Sequence, residues 1–157
     1  MQITIEYMIM IPLLILEIIL FPYATSQIME GWADSRQALE LQEIASNMGS
    51  SIQQVYSALN HTSIESCSVT NTFNFPAYVE NSAYIGNATI RLSSESENST
   101  KILTITLVLK NTQVSTSTTI TLGDCVNWLD STFTSNEPNP GILAQKFTNG
   151  TIQLSFI

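Results

Sequence analysis

Hydrophobic residues follow a helical period over the first third of the chain and an alternating period over the remainder. Residues 8–24 are almost entirely apolar, and apolar residues then recur every three or four positions along residues 41–59, which places them on one helix face. The two stretches predict a single helix over residues 1–59, about 85–90 Å long at 1.5 Å per residue. A domain of this size cannot bury so long a helix. We therefore expect its first half to lie in lipid or against neighbouring chains.

The apolar run of residues 8–24 is long enough to cross a bilayer, since about twenty helical residues span the hydrocarbon. It contains Glu17, however, and an acid at the centre of a membrane helix costs about 2.5–3.5 kcal/mol on insertion scales. It also contains Pro12 and Pro22, each of which removes a backbone hydrogen bond and predicts a local kink. A permanent anchor gains nothing from these three residues. A helix that leaves the lipid and packs against copies of itself can accommodate them.

Beyond Asn60 the apolar residues alternate with Ser and Thr, which is typical of strands with one buried face. The clearest strand is predicted over residues 101–110, followed by a hairpin partner over 114–122. A second hairpin is predicted around an Asn-Gly turn at Asn149, and its last strand, ending at Ile157, is a candidate sheet edge. The remaining predicted strands cover residues 69–75, 83–85 and 88–92, with polar loops over 93–100 and 135–141.

These elements predict an α+β fold in which the C-terminal half of a long N-terminal helix packs against a small antiparallel sheet or sandwich of five to seven strands. The predicted organisation has three parts. Residues 1–24 form a hydrophobic transmembrane and polymerisation segment, residues 25–60 continue the helix, and residues 61–157 form a β-rich extracellular head.

Composition narrows the function classes. Only 11% of the 157 residues are charged, and the net charge is −8. The five basic residues are scattered, so the basic clusters that nucleic acid or anionic lipid headgroups require are missing from the sequence. Abundant Ser, Thr and Asn in the second half favour a surface that faces the outside of the cell.

Two cysteines, Cys67 and Cys125, lie in this hydroxyl-rich half. In an exported chain such a pair predicts one disulfide, which would typically add 2–4 kcal/mol of stability. A metal site is the alternative. It is disfavoured because the sequence has no Cys-x-x-Cys and offers only His61 as a nitrogen ligand.

Four Asn-x-Ser/Thr sequences are candidate N-glycosylation sites on an exported protein. Each could arise by chance in a chain so rich in Asn and Thr, but together they favour a glycosylated surface. The last of them also fits a hairpin turn. The four acceptors are Asn60, Asn87, Asn98 and Asn149.

Catalytic constellations are missing from the sequence. It contains one histidine, and it has neither a glycine-rich phosphate loop nor clustered ligands at metal spacing. The acid pairs Glu40/Glu43 and Glu95/Glu97 are interpreted as a solvated helix face and a polar loop. We predict that the protein is not an enzyme and needs no cofactor or metal.

Residues 2–7, Gln-Ile-Thr-Ile-Glu-Tyr, stand directly before the apolar helix. This arrangement resembles the class III signal peptide junction of archaeal type IV pilin-like proteins, over about 25 residues. The resemblance implies that a membrane prepilin peptidase cuts before Gln2. It also implies that Glu6 pairs with the terminal amine of a neighbouring subunit during assembly. Glu17 has no counterpart in that motif. Two alternatives stay open for it: a bond to a tyrosine or a freed carbonyl near Pro12 or Pro22 on an adjacent helix, or a carboxyl group that stays protonated.

The resemblance further implies a filament subunit whose partners are copies of itself, the membrane before assembly, and the pilus assembly machinery, with no nucleic acid. Adhesion or surface attachment at an extracellular filament is the implied role. A minor pilin or pseudopilin-like component and an archaellin-like subunit are the related alternatives. A single-pass membrane-anchored ectodomain that binds a ligand is the alternative of a different class.

Overall fold

The structure is a computed structural model that describes residues 2–61, 65–92, 100–112 and 114–157, with side chains from Met8 onward. One helix is followed by eight strands in these ranges, and the predicted α+β fold is confirmed. The elements are α1 Gln2–Leu59, β1 Cys67–Thr72, β2 Tyr84–Leu92, β3 Lys101–Leu109, β4 Ser115–Leu122, β5 Val126–Trp128, β6 Thr132–Thr134, β7 Gly141–Lys146 and β8 Ile152–Phe156.

Helix α1 is continuous over 58 residues and contains both prolines. The chain divides into two compact units, Met1–Arg36 and Gln37–Ile157. The second unit, called the head unit below, therefore includes the last 23 residues of α1 as well as every strand. Its boundary lies where the helix begins to bury side chains, because the first fully buried helical residue is Leu41. The predicted boundaries at residues 24/25 and 60/61 rest on changes in hydropathy and in secondary structure, which are different criteria from compactness, and they stay predictions.

The strands form two four-stranded sheets, with orders β1-β7-β8-β5 and β4-β3-β2-β6. Strands β3 and β4 form the predicted hairpin, with Leu103 opposite Ile120. All pairs are antiparallel except β5 with β8. The prediction that the C-terminal strand is a sheet edge is wrong, because β8 lies between β7 and β5. The short strand β5 carries no alternating pattern that could predict its pairing.

One hydrophobic core joins the helix to both sheets within the head unit. The buried face of α1 carries the three-to-four-residue repeat that the sequence predicts. A Cβ at Gly49 would lie 3.1 Å from Cγ2 of Ile120, so the helix backbone runs close to β4. The helical core residues are Leu41, Ile44, Ala45, Met48, Ile52, Val55 and Leu59, and β3 contributes Leu103, Ile105, Leu107 and Leu109.

Two lysines satisfy backbone carbonyls at positions where secondary structure ends. The ammonium of Lys146 on β7 donates to the carbonyls of Leu59 (2.8 Å) and His61 (2.9 Å), at the C-terminus of α1. These carbonyls have no helical partner, and a cation is favourable there. Lys101 donates to the carbonyl of Val126 at 2.6 Å, and thereby covers an outer carbonyl of β5.

An aromatic cluster lies where β2 and β6 pair. Phe133 lies 4.8 Å from Phe156 and 6.3 Å from Tyr84, measured between ring centroids. Its ring covers Gly86, its register partner on β2, so closely that a Cβ at Gly86 would lie 2.0 Å from Cε1 of Phe133. The strand therefore requires glycine at this position.

Candidate functional site: the N-terminal apolar segment

The part of α1 that the sequence predicts to be functional, residues 8–24, is called the apolar segment below. Its side chains are exposed around the whole circumference of the helix. Thirteen large apolar side chains between Met8 and Tyr23 are each at least 52% exposed. By length and composition this helix could cross a membrane. The thirteen are Met8, Ile9, Met10, Ile11, Leu13, Leu14, Ile15, Leu16, Ile18, Ile19, Leu20, Phe21 and Tyr23.

The free energy gained by burying these thirteen side chains can be compared with the cost of placing Glu17 in a bilayer. Complete burial of one large apolar side chain is worth about 1.5–3 kcal/mol, so burying what remains exposed yields roughly 1–2 kcal/mol each. Over thirteen side chains this amounts to roughly 13–26 kcal/mol, several times the cost of one acid in the bilayer. The apolar segment can therefore carry Glu17 and still gain strongly from any apolar surroundings, whether lipid or other helices.

Glu17 lies within this apolar surface and is exposed in the single chain. Shallow grooves run on both sides of its side chain. In lipid or between helices, its carboxyl group would have to be protonated, hydrogen-bonded or paired with a cation. The grooves are lined by Leu13, Leu16, Leu20, Phe21 and Ala24 on one side, and by Leu14, Ile18, Phe21 and Pro22 on the other.

Hydroxyl groups that follow the apolar segment are satisfied within the helix. Thr25 donates to the carbonyl of Phe21 at 2.5 Å, and Ser26 donates to the carbonyl of Pro22 at 2.9 Å. Ser35 does the same with Gly31. Such bonds to the preceding turn remove the desolvation cost of a hydroxyl, so these residues can enter apolar surroundings without partners from another chain. Hydroxyl residues inside a predicted helix are a signal in the sequence from which these bonds could have been predicted.

The structure places the predicted assembly residues only in part. Gln2 and Glu6 lie in the first turns of α1, and their side chains are outside the described part of the chain. Pro12 and Pro22 lie inside the helix. Neither has an N–H, so each leaves one carbonyl of the preceding turn without its helical donor.

The predicted disulfide is not formed, because Cys67 and Cys125 are both free thiols. Cys67 opens β1 at one edge of its sheet, and Cys125 directly precedes β5 at the other edge. The register row runs from Cys67 through Lys146 and Ile152 to Val126. Three strand spacings of about 4.8 Å put roughly 14 Å between the ends of this row, and a disulfide cannot join Cα atoms more than about 7 Å apart.

Three of the four candidate glycosylation acceptors lie among the described residues, and all three are exposed. Asn60 follows the last residue of α1, and Asn87 lies in β2. Asn149 lies in the turn between β7 and β8, where its Oδ1 accepts the backbone N–H of Thr151 at 3.0 Å. The turn that the Asn-Gly pair predicts is therefore present, with φ +83° at Gly150. Asn98 falls outside the described residues.

The described ranges contain no group of three His, Cys, Asp or Glu side chains that could hold a metal ion. His61 and the pair Glu40/Glu43 are exposed, and Glu95/Glu97 lie outside those ranges. Sequence reasoning missed the positioning role of Lys146 at the end of α1, since residues 85 or more positions apart give no local signal.

Comparison with known proteins adds no relative: no protein-family model, curated protein or solved structure matches the chain significantly.

Proposed function

We propose that this protein is the structural subunit of an extracellular filament, of the archaeal type IV pilin-like kind, and that it polymerises through the apolar segment. The observation that carries the proposal is the fully exposed apolar circumference of residues 8–24, on a helix that continues without a break into the core of the head unit. The apolar segment rests in the membrane before assembly. Helices of neighbouring copies then replace the lipid contacts.

Three features favour a polymerisation segment over a permanent anchor. Glu17 and two prolines lie inside the span, although each is costly or unhelpful in a simple anchor. The first basic residue after the span is Arg36, so the positively charged flank that typically fixes an anchor is missing. Helical backbone satisfies its own hydrogen bonds, so helices can exchange lipid for one another without new polar contacts.

The decisive experiment is reconstitution of the full chain. Removal of detergent from the purified full chain in the absence of lipid should give filaments that are visible by negative staining. A Leu16→Lys variant should fail to assemble, because a charge then interrupts the apolar surface, while its head unit unfolds at the unchanged temperature. Thr119→Lys is the matched control, since Thr119 is an exposed residue of β4. It should assemble normally.

The same preparation distinguishes the filament subunit from a membrane-anchored ectodomain. An ectodomain would enter lipid vesicles as a monomer and stay monomeric, or would aggregate without order when detergent is removed. Either outcome contradicts the filament proposal. In a separate preparation, filaments isolated from the cell surface, a low share of this chain by mass spectrometry would instead assign it to the minor subunits.

Glu17→Gln tests the carboxylate separately, because it keeps the shape and removes the charge. If the carboxylate makes a contact between helices, the variant inserts into vesicles more readily and assembles less well. Unchanged assembly would exclude a role for the charge.

A further inference from the structure

The two thiols of the head unit lie at opposite edges of the same sheet. Cys67 begins β1, and Cys125 precedes β5, so they mark opposite edges of one four-stranded sheet. Both lie at the start of their strands. These strands run in the same direction, because β1 and β8 are each antiparallel to β7 while β5 is parallel to β8. The cysteines thus lie at the same end of the sheet, within one residue of the same register row.

The two thiols cannot form a disulfide within one chain, because the interior strands β7 and β8 separate them by roughly 14 Å. Rearrangement would require removing a strand whose register partners include fully buried side chains such as Ile142 and Leu154. An exported chain nevertheless meets oxidising surroundings, in which thiols tend to form disulfides. The available partner for each thiol is then a thiol on another copy.

We infer that Cys67 of one copy forms a disulfide with Cys125 of the next copy, so that the head units are covalently linked along the filament. The inference rests on the proposed function, since it requires export and ordered self-association. Two S–H bonds break and one S–S bond forms. The two electrons and two protons pass to a low-molecular-weight disulfide, which is reduced to two thiols.

The geometry favours a disulfide between Cys67 and Cys125 of two copies (unlike pairing) over a disulfide between the same cysteine of two copies (like pairing). Contact between two Cys67 edges would be a two-fold arrangement that closes at a dimer, whereas contact between unlike edges repeats from copy to copy, as a filament requires. All copies in such a polymer share one direction. Because β1 and β5 start at the same end of the sheet, a copy placed side by side with this sheet would have its Cys67 level with Cys125 of its neighbour.

The contact involves side chains and does not extend the sheet. Lys101 occupies the outer carbonyl of Val126 at 2.6 Å and also donates to the side chain of Asn127 at 3.1 Å. A lysine at this place prevents another strand from adding to β5. Cys125 is exposed beside it, while Cys67 is half-buried on an edge strand.

Asp124 sets the pH dependence of the reaction. Its carboxylate accepts a hydrogen bond from the thiol of Cys125 at 3.2 Å. This bond and the negative charge raise the pKa of Cys125 above its usual value, although the positive charge of Lys101 acts in the opposite direction. The raised pKa favours the thiol form of Cys125 in the isolated chain. Because the thiolate is the reactive form, cross-linking should accelerate as the pH rises. Asp124→Asn should weaken this dependence.

The test uses assembled filaments treated with N-ethylmaleimide before denaturation, followed by gel electrophoresis without reductant. The wild type should give a ladder of multimers that collapses on reduction to the monomer of 17.3 kDa plus any attached glycan. Cys67→Ser and Cys125→Ser should each lose every band above the monomer. Ser68→Ala, an exposed neighbour on β1, should keep the ladder.

Each contrary result has a distinct meaning. Filaments whose cysteines are both alkylated would overturn the cross-link and leave the proposed function intact. Dimers that persist in Cys125→Ser would show like pairing and overturn the unlike arrangement. A failure of wild-type chains to form any filament would overturn the proposed function and the cross-link with it.

Discussion

Replacing Gly86 with alanine should destabilise the head unit strongly, although it adds a single methyl group. The new Cβ would lie 2.0 Å from Cε1 of Phe133 and 2.6 Å from its Cζ. The ring cannot step aside, because Phe156 lies 4.8 Å away and Phe73 lies 6.1 Å away between centroids. Overpacking of a core costs about 1–3 kcal/mol, and an enclosed ring places this substitution near the upper end, at about 2–3 kcal/mol.

The corresponding shift in melting temperature is measurable. Unfolding entropy is about 2.1 cal/mol/K per residue near 60 °C, which for the 121 residues of Gln37–Ile157 gives about 0.25 kcal/mol/K. A loss of 2–3 kcal/mol then lowers the melting temperature by about 8–12 °C. Fluorescence of Trp128, whose ring lies 4.8 Å from that of Phe156, reports unfolding of this region. A Trp32→Phe background removes the signal of the exposed helical tryptophan.

Gly31→Ala is the matched control, because a Cβ at Gly31 has no atom within 4 Å. It should leave the melting temperature of the head unit unchanged and raise helicity, since alanine is favoured over glycine in a helix by about 1 kcal/mol. Combining Gly86→Ala with Phe133→Leu should recover part of the loss, as expected for residues in direct contact. A Gly86→Ala protein that melts with the wild type, or a double variant with purely additive losses, would refute the steric explanation.

Three further substitutions test polar contacts of the head unit. Lys146→Met should lower the stability of the head unit by about 1–2 kcal/mol in thermal melts, because the carbonyl of Leu59 loses a charged donor that is only partly shielded from solvent. An unchanged melting temperature would contradict the capping role of Lys146. Ser135→Ala should cost about 1–3 kcal/mol in urea titrations, because the buried hydroxyl accepts the backbone N–H of Tyr84 at 3.0 Å, whereas Ser117→Ala on the exposed side of β4 should cost little. Burial raises the pKa of Tyr84 from 10.0 to about 12. The stability that the protonated phenol contributes is therefore complete below pH 10 and is lost as the pH rises from 10 towards 12. Urea midpoints should fall over that range and fall less in Tyr84→Phe; an equal dependence of the midpoint on pH in both proteins would contradict this.

The Gly86 position also illustrates what could not be predicted from the sequence. A glycine inside an alternating strand suggests a close approach by some other group, but nothing in the pattern names Phe133, which lies 47 positions later and reaches Gly86 through the pairing of β2 with β6. The same limit applies to Lys146, which satisfies the end of a helix from a distant strand. Such contacts depend on strand order.

The candidate site is the opposite case, because its character is local. The apolar run with Glu17 and two prolines could be identified from residue order alone, and the structure adds that its circumference is fully exposed and that nearby hydroxyls are satisfied within the helix. The pairing of Cys67 with Cys125 was a non-local prediction, and it is wrong because two strands lie between them.

Residue order alone was enough to predict the long helix and the β3–β4 hairpin, whose periods extend over many residues, and the turn at Asn149, which follows from its Asn-Gly pair. The helix and the hairpin depend on which face of a regular element is apolar, and this can be read without knowing its neighbours. How those faces meet is a property of the folded chain. In the folded chain β8 is an interior strand of its sheet, because the three-residue strand β5 pairs with its outer side, and the two cysteines lie at opposite edges of that sheet. The sequence does not predict either feature, because strand pairing joins residues that are far apart in the chain and share no periodic pattern.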